Sequence, residues 1–197
     1  MPNWTTNFVE ISGNKEDISA IKKLVKNGKN PFSLDKIVPM PKVLDNGPCP
    51  NFEKAVEYAY NYALKEKLPM SGLMLEAVRK ARSKFTGQPD MSLASREDGE
   101  KYYACLNETG YPTWYDWRCD FWGTKWDTSD TKLVESNPGT LCYEFYTAWA
   151  VPRKALQALS LLFPNVTIVD AAEDEGFYES YTISYKGGEE FLPGDAE

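Results

Sequence analysis

The chain has 197 residues, 42% of them hydrophobic, 14% aromatic and 26% charged, the profile of one domain, or one domain with a sizeable insertion, that can bury a core. It contains no histidine, which excludes His-based triads, His proton shuttles and His-ligated metal sites. Its formal net charge of −7 argues against a general affinity for phosphate backbones.

Met1-Pro2-Asn3-Trp4 has neither the basic nor the apolar region of a signal peptide, and no apolar run approaches the roughly 20 residues of a membrane span. A cytoplasmic protein that does not enter the membrane is the expectation. Cys49, Cys105, Cys119 and Cys142 form no close pair of the kind that zinc sites and redox motifs use, so they read as free, mostly buried thiols. No cofactor is implied.

Residues 6–12 read as a first strand closed by Gly13. Asn14, with Asp17 three positions on, caps a helix that buries Ile18, Ile21, Leu24 and Val25 and stops at Gly28. Residues 32–40 alternate Phe32, Leu34 and Lys36 and read as a short second strand ended by Pro39 and Pro41. After the Pro/Gly-rich stretch 41–50, residues 51–64 and 71–85 read as a helical hairpin, and Ser95 with Asp98 caps another helix that stops at Gly110. Pro112 to Asp127 holds four of the six tryptophans, with Trp114, Trp117 and Phe121 at helical spacing before Gly123.

Asn137-Pro138-Gly139 marks a turn between strands at 132–135 and 140–149, the longer alternating Leu141, Tyr143, Phe145, Thr147 and Trp149 on one face. Pro152 opens a helix carrying Leu156, Leu159, Leu162 and Phe163, and 166–169 and 178–185 read as closing strands. This order predicts an α+β fold: a ferredoxin-like antiparallel or mixed sheet with helices on one face, one domain over 1–197, and a helical insertion over about 49–131.

Residues 170–197 hold nine acids (Asp170, Glu173, Asp174, Glu175, Glu179, Glu189, Glu190, Asp195, Glu197) against Lys186, which leaves the first 169 residues nearly neutral. The bland reading is a solvated terminus or a protected edge strand. The sharper one is a patch that meets a basic surface on another protein.

Met1-Pro2-Asn3-Trp4 with Asn7, Ile37-Val38-Pro39-Met40-Pro41, Trp122-Gly123-Thr124-Lys125-Trp126-Asp127, Phe145-Tyr146-Thr147-Ala148-Trp149 with Pro152, and Phe163-Pro164 resemble the landmarks of the YubB ferredoxin-like domain family. That family occurs in bacteriophages and conjugative plasmids and has no established biochemical activity. The resemblance implies a ferredoxin-like core and a mobile-element setting, and it transfers no catalytic residue. Thr5 stands where the family usually has Cys, and Val151-Pro152 where it often has Pro-Pro.

Asp116, Asp120 and Asp127, framed by Trp117, Trp122, Trp126 and Trp149 with Lys125 nearby, fit either a structural anchor or a sugar site in which indoles stack on a ring and carboxylates share acid/base work. The strand aromatics also admit base stacking, but Glu144, and Glu179 beside Tyr178, disfavour phosphate. No phosphate loop or nucleophile elbow is present. The expectation is a non-enzymatic accessory protein that binds a host protein, with Glu173, Asp174, Glu175 and Glu179 steering the encounter and Tyr178, Tyr181 and Tyr185 anchoring it. A single-stranded nucleic acid is the less favoured partner.

Overall fold

The computed structural model describes residues 3–45, 51–81, 96–175 and 179–192. In chain order the elements are β1 (Trp4–Ser12), α1 (Lys15–Leu24), α2 (Leu34–Ile37), α3 (Phe52–Glu66), α4 (Gly72–Ala81), α5 (Arg96–Thr109), α6 (Trp114–Phe121), β2 (Ser129–Ser136), β3 (Thr140–Ala148), α7 (Arg153–Leu162), β4 (Thr167–Asp174), β5 (Glu179–Lys186) and β6 (Glu189–Phe191). They fall into two compact units, Met1–Pro39 with Arg118–Glu197, and Met40–Trp117. The second unit thus runs 40–117, against about 49–131 in the sequence reading.

The first unit is built on one antiparallel sheet in the order β2-β3-β1-β4-β5-β6. Its first four strands, with α1 and α7 as the two crossing helices, have the ferredoxin-like arrangement. Helix α1 forms where its local signals say: Asn14 Oδ1 accepts from the Asp17 N–H at 2.9 Å, acids occupy the first turn and Lys22 and Lys23 the last. Ile18 and Ile21 face the core, and Gly28 takes φ +58° just past the helix end.

The strand expected over 32–40 is instead the one-turn helix α2. Leu34 and Ile37, three residues apart, are both buried, which a helix achieves and an alternating strand does not. Ser33 gives it no side-chain cap. The cap arrives from far along the chain: Asp127 accepts from the Leu34 N–H and from Ser33 Oγ, both at 2.6 Å.

One face of the sheet is core. Val9, Ile11, Leu141, Tyr143, Phe145, Ile168, Ile183 and Tyr185 are buried on it, each such side chain contributing about 1.5–3 kcal/mol from apolar burial. Phe32 stacks on Phe145 with centroids 5.1 Å apart and leans on Tyr143 at 4.9 Å. Trp149 does not continue this row as its spacing suggests, because it turns out of β3 at φ +70° and stands 51% exposed. The opposite face carries Trp4, Thr6, Phe8 and Glu10 of β1, with Cys142, Glu144 and Tyr146 of β3 beside them.

The acidic end of the sequence is not a tail over its described part. Asp170, Glu173 and Asp174 lie in β4, Glu179 in β5, and Glu189 and Glu190 in β6. At the sheet's ends, β2 pairs with β3 through two register shifts, between Ser129 and Lys132 and between Leu133 and Glu135, and β6 spans only three residues.

The second unit is helical. Ala55, Ala59, Ala63, Ala77 and Ala81 let α3, α4 and α5 approach closely around Val56, Met74, Val78, Tyr102 and Leu106. Ser71 Oγ caps α4 by accepting from the Met74 N–H at 3.1 Å, and Lys67 ends α3 in the left-handed region at φ +55°. The expected Ser95 cap of α5 lies outside the described residues.

Candidate functional site

The run Trp122 to Asp127 follows α6 and crosses one end of the first unit, and most of its residues serve the fold. Trp122 is buried, and its indole Nε1–H donates to the Val38 carbonyl at 2.8 Å. Gly123 sits at φ +85° against the start of α7, where a Cβ would come within 3.0 Å of the Arg153 nitrogen. Thr124 is buried and donates to the Ala148 carbonyl at 2.8 Å. Asp127 caps α2 and also accepts from the Thr128 N–H at 2.8 Å, so both of its oxygens have structural partners.

Lys125 and Trp126 are different, because the fold makes no comparable use of them. The Lys125 ammonium sits between two indoles, 4.0 Å from the Trp126 ring centroid and 3.4 Å from that of Trp149. Trp126 in turn lies 6.0 Å from Trp4, which meets Tyr146 at 6.5 Å and 70°. Sequence reasoning flagged Trp126 and Trp149 but missed Trp4 and Tyr146 as their neighbours, since only the β1–β3 register joins them.

The other sequence-selected residues are dispersed. Asp116 accepts from Thr113 Oγ1 at 2.8 Å near the start of α6. Trp117 is buried, and Asp120 lies further along the same helix. Tyr185 is wholly buried and cannot anchor a surface contact. Asp174 is also buried and takes a hydrogen bond from Thr5 Oγ1 at 3.2 Å, so it does not face an approaching partner. Tyr181 is half-buried, Glu173 and Glu175 are exposed, and Tyr178 lies outside the described residues.

The face that carries Phe8 is open to solvent. Phe8 is 44% and Val134 64% exposed, and with Cys142, Val169 and Ala171 they line a shallow depression of about 270 Å³. Glu10 borders it, and Glu135, Glu144 and Glu173 share that face. Lys132 pairs with one of these acids: its ammonium lies 2.8 Å from Glu144 Oε1, and this pairing raises its affinity for a proton. Burial, together with Glu10 and Glu135, also raises the Cys142 thiol above its usual range.

On the core side, Asp170 is fully buried, and neither carboxylate oxygen has a hydrogen-bond partner of normal geometry. Burial pushes it up to about 7, while the Phe8 backbone and Arg153 pull weakly the other way. The Tyr185 hydroxyl, likewise orphaned, is raised by burial and by Asp170. A second cavity of about 370 Å³ lies by Trp149, between the Thr5–Asp174 pair and the start of α7. Among the described residues no cluster of three Asp, Glu or Cys side chains could hold a metal ion, and no helix is long and apolar enough to cross a membrane.

The sheet order and helix placement define an α+β protein with a ferredoxin-like domain. Residues 121–193 match the family model described as the ferredoxin-like domain in Api92-like protein, which places such a domain over β2 to β6 and α7. The whole chain also superposes on the crystal structure of a protein api92 from Yersinia pseudotuberculosis, with a TM-score of 0.50, 13% identity and 100% of each chain covered. That likeness concerns the fold. No curated protein matches the chain.

Proposed function

We propose that this protein acts by binding another protein through the open face of its sheet, as an accessory factor of a phage or conjugative plasmid that occludes a basic surface on a host defence or nucleic-acid-handling protein. One observation carries the reading: an exposed apolar strip of Phe8, Val134, Val169 and Ala171 is framed by Glu10, Glu135, Glu144 and Glu173. Apolar contact supplies affinity, and the surrounding carboxylates select and steer a basic partner. The mobile-element setting rests on the resemblance of the Trp122–Asp127 run and its companion landmarks.

The alternatives draw less support. Base stacking would use Tyr143 and Phe145, which are buried, and Trp149, whose ring holds the Lys125 ammonium, and the open face would repel phosphate. Chemistry on a sugar would draw on Asp116, Asp120 or Asp127, but both Asp127 oxygens are engaged and Asp116 accepts from Thr113 Oγ1.

Affinity purification from host lysate with the wild-type chain and with Glu10→Lys/Glu173→Lys tests the proposal. The expected partner has a basic surface, binds more weakly as salt rises, and is lost on charge reversal. Capture unaffected by the reversal, or capture of nucleic acid alone, overturns it.

A further inference from the structure

One end of the open face holds a smaller cavity, about 220 Å³, lined by Trp4, Ser129, Asp130, Tyr146 and Glu175. Two of its walls are aromatic and set at 70° to one another, and Trp126 backs the Trp4 ring. The remaining walls bring two carboxylates. Glu175 is held in place there: its N–H donates to the Trp4 carbonyl at 3.1 Å, and its Oε2 accepts from the Trp4 N–H at 3.3 Å. Among the described residues no Lys or Arg lines the cavity. Lys132, on β2 with Ser129 and Asp130, stands close enough for the charges of Asp130 and Tyr146 to act on it, and its ammonium is paired with Glu144 at 2.8 Å.

Ring faces are electron-rich and attract organic cations, most strongly when carboxylates stand beside them. The molecule shows this preference next door, where Trp126 and Trp149 hold the Lys125 ammonium between them. An anionic ligand is opposed by both carboxylates. A divalent metal would need more oxygen ligands than two carboxylates and a hydroxyl supply. The volume lies below the roughly 300–1,000 Å³ of sites that enclose drug-sized molecules, and suits a single side chain.

We propose that this socket receives the guanidinium of an arginine side chain presented by the basic protein partner, an inference that rests on the reading of the open face given above. Arginine is favoured over lysine because a planar guanidinium stacks on an indole while its edge donates to a carboxylate.

Titration of the isotope-labelled full chain with N-acetyl-arginine amide, followed by NMR, tests the socket apart from any protein partner. The Trp4 indole signal is expected to shift and saturate with a dissociation constant of about 1 mM. The lysine amide should bind more weakly, and the uncharged isostere N-acetyl-citrulline amide should leave the signal in place. Asp130→Asn/Glu175→Gln keeps the shape of the socket, and Asn tolerates the left-handed backbone at position 130, φ +48°. In that variant, checked for an intact spectrum, binding should weaken at least about tenfold.

Equal shifts with citrulline amide, no saturating shift with arginine amide, or unchanged binding by the double variant overturns the socket. Saturation by arginine amide with no basic protein captured leaves the socket standing as a site for a free cation and removes the protein-binding reading. A captured partner indifferent to Asp130 and Glu175 does the reverse.

Discussion

The two units build their cores differently. In Met40–Trp117 the core is small-residue and helical, with alanines on facing helices and hydrogen bonds that mostly stay close in sequence. In the sheet unit the core is aromatic and β-branched, and its polar contacts span the chain, as when Asn7 Nδ2 donates to Thr147 Oγ1 at 2.9 Å across 140 positions. Helix packing needs only smooth, close surfaces, whereas a sheet assembled from distant segments also needs tethers that fix register. Those tethers are where the sheet unit stores its polar residues, and among the described residues the Asp170 carboxylate and the Tyr143 and Tyr185 hydroxyls are buried without such a tether.

Three substitutions probe this contrast. Trp122→Ala has the largest expected effect, a loss of about 3–5 kcal/mol, because it opens a large cavity and orphans the Val38 carbonyl. The urea midpoint measures it, and a loss below 1 kcal/mol would mean that the indole is not a tether.

Asp170→Asn is expected to stabilise the protein at alkaline pH. The native state holds the Asp170 proton up to about 7 while the unfolded chain releases it near 3.8, so the native state binds more protons between those values and stability falls as pH rises through them. The shift corresponds to a penalty of about 4 kcal/mol above pH 7, absent below pH 4. The gain on substitution should therefore be greatest at pH 8 and vanish near pH 4, and parallel stability curves for the two proteins would contradict the assignment.

The smallest effect belongs to the helical unit. A Cβ at Gly99 would sit 2.4 Å from Tyr62 Cβ, so Gly99→Ala must push α5 from α3. The better helix propensity of Ala offsets part of the strain, leaving a loss of about 1–2 kcal/mol. Thermal melting that shows a gain instead would reveal slack in the alanine-lined packing.

What the sequence made legible follows the same division. Helix α1 was readable because Asn14 caps it locally, and β3 because Leu141, Tyr143 and Phe145 alternate. Helix α2 was not, since its cap is Asp127, 93 positions downstream, and its one turn mimics strand alternation. The site was legible in part. The Trp-Gly-Thr-Lys-Trp run stood out, but its division into buried tethers and exposed indoles depends on φ angles at Gly123 and Trp149. The inward aim of Asp170, Asp174 and Tyr185 was hidden as well, because the bias toward acids in that segment masks an ordinary strand alternation.

The irregular pairing of β2 and the brevity of β6 bear on how the molecule can be met. A regular outer strand offers unpaired N–H and C=O groups to any other chain and invites polymerisation. Here one rim is kinked twice and carries Lys132, and the other ends after three residues bearing Glu189 and Glu190. Both rims therefore offer a neighbouring chain a poorer template for backbone pairing than a long, regular outer strand would.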